Sequence, residues 1–428
     1  MNIEVNPSGP LKGEIAVPGD KSISHRAAIL GAIAEGETRI KGFLEGEDCL
    51  HTLSCLEALG VKIRRKEPGH YLIEGRGLRG LTEPERVLDV GNSGTTIRLL
   101  SGLLAGQSFL SVLTGDASIC RRPMDRVIKP LTQMGARIIG RGENRFAPLC
   151  IQGGPLKAID YSSPVASAQI KSAILLAGLN TTGTTTVREP LTSRDHTERM
   201  LRAFGARINV RGTKVTLIPG SVLNGQEVTV PGDISSAAFL LVAASIIPGS
   251  ELLIKNVCIN PTRTGVLTAL QAMGANIHIL NEREETGEPV GDLLVRSGNL
   301  QGISFEPEWI PSLIDEVPIL AVAAACAEGT TTISHAAELR HKETDRLKVM
   351  TRELSKFGIQ VKELPDGMII SGTKKITGTE CSSHGDHRIA MSLAVLAMRA
   401  SGSSTITDAE AVNVSFPGFF EMLKSCEV

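Results

Sequence analysis

The sequence predicts an α/β protein of two similar domains, built from six repeats in all. Three observations carry this expectation. An apolar helix, a Gly with small polar residues and a β-branched strand recur six times: AIAEGETRI at Gly36, LLAGQSFL at Gly106, LNTTGTTTV at Gly183, SIIPGSELL at Gly249, ACAEGTTTI at Gly329 and MRASGSSTI at Gly402. Their mean spacing is about 73 residues, close to one-sixth of the 428-residue chain, the self-similarity that marks a repeat architecture. A second mark, an amphipathic helix ending in Gly before a strand, recurs at Gly60, Gly135, Gly205, Gly274 and Gly358. Finally, VPGD occurs at Val17–Asp20 and again at Val230–Asp233. Two similar Pro-Gly crossings divide the chain into nearly equal halves, residues 21–232 and residues 1–20 plus 233–428.

Each repeat therefore carries two helices and several strands. The first helix is apolar nearly all round, as in Ile170-Lys171-Ser172-Ala173-Ile174-Leu175-Leu176-Ala177, and is expected to be buried. The second, as in Asp345-Arg346-Leu347-Lys348-Val349-Met350, is amphipathic and expected nearer the surface. Gly after that helix accepts the left-handed conformation that stops it. The sixth repeat ends at Phe419–Leu423 without its strand, and Asn2–Val5 is expected to supply one, joining both chain ends in one domain.

Composition narrows the function. Hydrophobic residues make up 42% and charged residues 21%, values of a folded globular chain. Aromatic residues are only 3%, which argues against a stacking platform for single-stranded nucleic acid. A net charge of -1 offers no broad attraction to nucleic acid or a membrane surface. Eight scattered cysteines without a CxxC pair read as reduced thiols of a cytoplasmic protein. The start, Met1-Asn2-Ile3-Glu4, does not read as a signal peptide, and the longest apolar run, Ala237–Pro248, falls short of a bilayer.

The unusual polar residues cluster at helix starts. GDKS (Gly19–Ser22), GNSGT (Gly91–Thr95), SAQ (Ser167–Gln169), Asp233, Asp315 and GDHR (Gly385–Arg388) precede the apolar helices. RRP (Arg121–Pro123), SRDHTE (Ser193–Glu198), NPTR (Asn260–Arg263) and KETDR (Lys342–Arg346) precede the amphipathic ones. Helix N-termini attract anions, so Lys and Arg placed there oppose the dipole unless an anionic ligand is shared. Asp20 and Asp233 read as simple caps. GNSGT reads equally as a tight turn or a phosphate loop. Arg122, Arg346 and Arg388 taken together favour ligand binding. Cys381, His384 and His387 lack a zinc spacing and read as a loop capped by Asp386.

In order along the chain, GDKSISHR, GNSGTTIR, RRPM, SAQIKSAILLA, RDHTERML, IDEVPIL, KETDRL and GDHRIAMS resemble the 5-enolpyruvylshikimate-3-phosphate (EPSP) synthase family over essentially the whole length, in the form often called class II. The resemblance implies two domains of three βαβαββ units each, closing over substrates at the hinge. It also implies transfer of the enolpyruvyl group of phosphoenolpyruvate to the 5-hydroxyl of shikimate 3-phosphate, by a monomer using no metal or cofactor. By motif position, Lys21 bridges both substrates and helps protonate the bridging oxygen. Ser22, Arg26, Ser167, Arg194 and Lys342 meet shikimate 3-phosphate, with Gln169 between the substrates. Gly94, Arg122, Arg346 and Arg388 line the phosphoenolpyruvate site. Asp315 matches the base for the hydroxyl and Glu343 the acid for the methylene carbon.

Two departures stand out. Ala168 replaces the second Ser of the common Ser-Ser-Gln, and Val414 stands where many members carry a Lys. The resemblance also places the inhibitor glyphosate against Gly94, where some tolerant class II members carry Ala. UDP-N-acetylglucosamine enolpyruvyltransferase resembles the chain less, because Lys21 is followed by Ser22 rather than Asn and Ala117 stands where that family has a loop Cys.

Overall fold

The computed structural model describes residues 1–428. They form two compact units: a first of residues 1–18, 231–284 and 289–428, and a second of residues 19–230 and 285–288. Each contains three small sheets, so the expected six-fold repetition is present as six sheets.

One repeat of the second unit shows the pattern. Strand Asp160–Ser162 leads into the buried helix Ala168–Gly178, then strand Thr185–Arg188, the amphipathic helix His196–Ala203 and the hairpin Arg207–Arg211/Lys214–Ile218. The first strand pairs in parallel with the second, and the hairpin returns antiparallel with its later strand innermost. All five Gly residues that end amphipathic helices have positive φ, from +84° at Gly358 to +99° at Gly205. A side chain there would strain the left-handed backbone.

The VPGD crossings exchange strands between repeats. Lys12–Ala16 runs in parallel beside Glu251–Cys258, although the helix that follows it in sequence, Lys21–Ile33, leads to Glu37–Lys41. The parallel partner of Glu37–Lys41 is instead Glu227–Thr229, from just before the second crossing. The chain's first strand completes the last repeat: Ile3–Val5 pairs antiparallel with Ser404–Thr407. It lies at the edge of this three-stranded sheet, beside the central strand, the place that the later hairpin strand takes in the four-stranded sheets.

The low aromatic content is accommodated by close helix packing. In the first unit every residue of Ile234–Ile246 is buried, and Val317–Cys326 and His387–Ala397 are buried almost throughout. The helical run Pro307–Cys326 has the length and hydropathy of a membrane span, but 67% of its most apolar 18-residue window is buried in the protein. In the second unit, helix Gly94–Ala105 meets helix Ala168–Gly178 at Gly102, where a Cβ would lie 2.1 Å from the Ala173 carbonyl oxygen. Only Gly permits this approach, since the neighbouring atoms are backbone and cannot rotate aside. Gly102→Ala is therefore expected to force the helices apart and cost about 1–3 kcal/mol, the usual range for overpacking. Denaturant unfolding of both forms checks this, and an unchanged midpoint contradicts it.

Candidate active site

In the second unit the first turns of three apolar helices carry the implied residues. Asp20 is a cap, accepting from the Ile23 N–H at 2.9 Å. Lys21 follows it, with Nζ 3.0 Å from Asp48. Ser22 offers its carbonyl to Arg26 at 2.9 Å. Arg26 is buried and donates to Thr197 at 2.6 Å and Ser172 at 2.9 Å. Burial, opposed mainly by Glu198 and Asp20, pulls its pKa down to about 10, so the side chain stays charged at neutral pH.

The GNSGT segment is both turn and helix start. Gly91 has φ +54°, and Ser93 caps the helix that begins at Gly94, accepting from the Thr96 N–H at 3.1 Å. Arg98, one turn on, donates from the same nitrogen to the Gly94 carbonyl at 3.0 Å and to Gln169 Oε1 at 2.8 Å. The Gln169 amide donates in turn to Thr95 at 3.1 Å. Gly94 and Gln169 are thus tied together across two repeats. Arg122 approaches the same helix start and donates to Asn92 at 2.6 Å and Ser118 at 3.1 Å. Ser167 caps helix Ala168–Gly178, and Arg194 lies just before helix His196–Ala203.

In the first unit a dense ion cluster stands at two helix starts. Asp315 lies in the short turn Ile314–Glu316 before the apolar helix Val317–Cys326. Its Oδ1 is 3.1 Å from Lys342 Nζ and 3.5 Å from Arg346 Nη1. Arg346 also pairs with Glu343 at 2.6 Å and Asp386 at 2.8 Å. Burial opposes the Arg346 charge, but Asp386, Glu343 and Asp315 outweigh it and hold its pKa above the ordinary value. Asp386 also caps helix His387–Ala397, so it joins cap and ion pair in one side chain. Arg388 donates to the Asp315 carbonyl at 3.0 Å and to the buried Glu316 carboxylate at 3.3 Å. Ser235 donates to the same Glu316 oxygen and accepts from Arg263 at 2.7 Å.

The structure therefore gathers Lys21, Ser22, Gly94, Arg122, Ser167, Gln169 and Arg194 at helix starts of the second unit, with Arg26 one turn further into helix Lys21–Ile33. Asp315, Lys342, Glu343, Arg346 and Arg388 occupy helix starts of the first. Sequence reasoning missed Arg98 and Glu316, and the ion-pairing partners of Arg263 and Asp386. The signal for Arg98 and Glu316 was present: each is a charge in or beside an otherwise apolar helix. Asp233 is a cap as expected, although Arg263 shares its carboxylate at 3.2 Å. His384 approaches Glu353 at 3.2 Å and Cys381 is buried, in keeping with a structural loop.

A family model described as EPSP synthase (3-phosphoshikimate 1-carboxyvinyltransferase) matches residues 5–423. The chain belongs to the EPSP synthase family. A 3-phosphoshikimate 1-carboxyvinyltransferase of Desulforamulus reducens is 54% identical over 99% of both chains, and one of Geobacter sulfurreducens is 54% identical over 100% of both. The solved EPSP synthase of Acinetobacter baumannii is 48% identical and superposes with a TM-score of 0.90, covering 100% of this chain and 98% of its own. The enolpyruvyl transferase NikO from Streptomyces tendae, 16% identical with a TM-score of 0.79, shares the fold. The enzyme transfers the enolpyruvyl group of phosphoenolpyruvate to shikimate 3-phosphate in the shikimate pathway of aromatic amino acid biosynthesis. The UDP-N-acetylglucosamine alternative is not favoured.

His25 provides a pH test of this buried architecture. Burial first, then Lys21 and Arg26, hold its pKa well below the ordinary 6.5. The folded state thus keeps the ring neutral while the unfolded chain takes up a proton below pH 6.5. Stability from this group is present above that pH and lost on acidification, with a slope of up to about 1.4 kcal/mol per pH unit. His25→Gln is expected to flatten the stability–pH curve between about pH 6.5 and 5. Chemical denaturation across that range reads the slope, and equal slopes count against the assignment.

Proposed function

We propose that Asp315 and Glu343 are the base and acid of the transfer, and that the cations at the helix starts bind its two anionic substrates. The observation that carries this reading is the pair of carboxylates sharing Arg346, at 3.5 Å and 2.6 Å. The reaction is addition followed by elimination. Asp315 takes the proton of the 5-hydroxyl, whose oxygen attacks C2 of phosphoenolpyruvate, while Glu343 delivers a proton to the methylene carbon. In the second step Glu343, now a carboxylate, takes a proton back from the methyl group so formed, the double bond returns and phosphate departs as Lys21 gives a proton to the bridging oxygen. An anion bound at Arg346 competes with Glu343 for the guanidinium and frees that carboxylate to hold a proton.

Shikimate 3-phosphate is assigned to Lys21, Ser22, Arg26, Ser167, Gln169, Arg194, Asp315 and Lys342. Phosphoenolpyruvate is assigned to Lys21, Gly94, Arg122, Gln169, Arg346 and Arg388. Arg suits these roles because its planar fork meets phosphate and carboxylate with paired hydrogen bonds. Residues 1–20 plus 233–428 and residues 21–232 are the two catalytic domains of this reading, hinged at the VPGD crossings, which is supported by the compact units parting within those same motifs. In this reading the protein is a cytoplasmic monomer, and its steps call for no metal or cofactor because the carboxylates and cations supply the charges and protons they need.

Phosphate release that depends on shikimate 3-phosphate tests the activity directly. Asp315→Asn and Glu343→Gln are each expected to lower kcat by about 10²–10⁴-fold, as for general acid–base groups, without loss of the fold. Full turnover in either variant removes that residue from the mechanism.

Gly94 offers a separate test. A Cβ there would lie 2.7 Å from Arg98 Nη1 and 3.2 Å from Arg122 Nη1, so a methyl fits only if these flexible side-chain ends give way. Gly94→Ala is expected to weaken glyphosate by about tenfold or more, about 1.4 kcal/mol, with a smaller rise in the KM of phosphoenolpyruvate. Inhibition constants for the two forms decide this; equal constants move the determinant to Ala168 or Val414.

A further inference from the structure

Helix Ala168–Gly178 is apolar except for one long charge. The Lys171 side chain is 2% exposed, and its ammonium lies 2.8 Å from Glu189 and 2.7 Å from Glu198, both equally buried. Burial opposes the lysine charge, but Glu198 and Glu189 keep its pKa above the ordinary value. Buried ion pairs add little stability over well-packed apolar side chains, so this group calls for a use beyond holding the fold.

The hydrogen bonds show where that use lies. Glu189 Oε1 accepts the Ser167 backbone N–H at 2.9 Å and the Ser193 hydroxyl at 2.7 Å. Lys171 donates to the Ser193 carbonyl at 3.4 Å. Ser167 is itself an assigned contact, and Ser193 directly precedes Arg194. A second rung runs alongside: Ser172 and Thr197, neighbours of Lys171 and Glu198, share a hydrogen bond of 2.6 Å, and both accept from Arg26.

We propose that Glu189, clamped by Lys171, is the positioning residue that sets Ser167 and Arg194 for shikimate 3-phosphate. This rests on the proposed assignment of those two residues to that substrate. Glu189 touches neither substrate; it fixes the backbone from which two contacts project. Small displacements of such groups cost binding out of proportion to their size. Because the clamp grips contacts to one substrate, its loss moves one KM and not the other.

Steady-state kinetics on the full-length enzyme tests the proposal, with Ser167→Ala as the reference. Glu189→Ala is expected to raise the KM of shikimate 3-phosphate about tenfold while that of phosphoenolpyruvate changes by less than about threefold. Glu189→Gln is expected to recover part of the loss, because its amide oxygen still accepts from Ser167 and Ser193 while its NH2 group, a donor, now faces the Lys171 ammonium in place of the carboxylate oxygen. An unchanged KM for shikimate 3-phosphate in Glu189→Ala, or an equal rise for both substrates, overturns the proposal when Ser167→Ala does raise it. No effect in Ser167→Ala means instead that the substrate assignment itself is wrong. If Glu189→Ala does not fold, Ser193→Ala serves. It keeps the ion pair and loses one grip, with an expected rise of about threefold, and no rise overturns the proposal.

Discussion

Helices that are apolar on every side must be buried along their whole length, and this constraint organises the protein. Such a helix keeps accessible polar groups mainly at its ends, and here they lie at its first turn. In Lys21–Ile33, Lys21 and Ser22 remain partly exposed while the remainder is buried. In Ala168–Gly178 the same holds for Ala168 and Gln169. The polar chemistry is therefore concentrated where free N–H groups and the positive end of the dipole already favour anions.

That placement creates an electrostatic problem that the structure resolves locally. Arg346 is 2% exposed and cannot keep its charge there without partners. Three carboxylates surround it, two of which are the proposed catalytic groups. Arg388 leans on Glu316, and Lys171 on Glu189 and Glu198. The cations are thus held in place before substrate arrives, so little ordering remains to be paid for on binding.

The repeat architecture was legible because helix stops have a local cause. A left-handed residue after an amphipathic helix asks for Gly whatever the rest of the fold does, and all five such glycines obey. The helix-start motifs were legible for the same reason: Ser93, Ser167 and Asp386 each cap the helix they precede. Arg98, Glu316 and Glu189 were not. Each acts through a partner distant in sequence: Arg98 on Gln169 across 71 positions, Glu316 on Ser235 across 81 and Glu189 on Ser167 across 22. A pattern read along the chain has no access to such pairs.

The sequence by itself determined the repeat, the helix starts and the eight ordered motifs that mark the family, because these depend on backbone conformation and on contacts only a few residues apart. Tertiary structure decided which strands pair and which charges compensate one another. The VPGD crossings and the missing sixth strand assign residues 1–20 to the first domain, but nothing local sets the pairing of Lys12–Ala16 with Glu251–Cys258, or the antiparallel register of Ile3–Val5 on Ser404–Thr407. Backbone hydrogen bonds between strands carry no side-chain identity, and a buried charge accepts any opposite charge that the fold brings within reach; both choices are made only when the chain closes on itself.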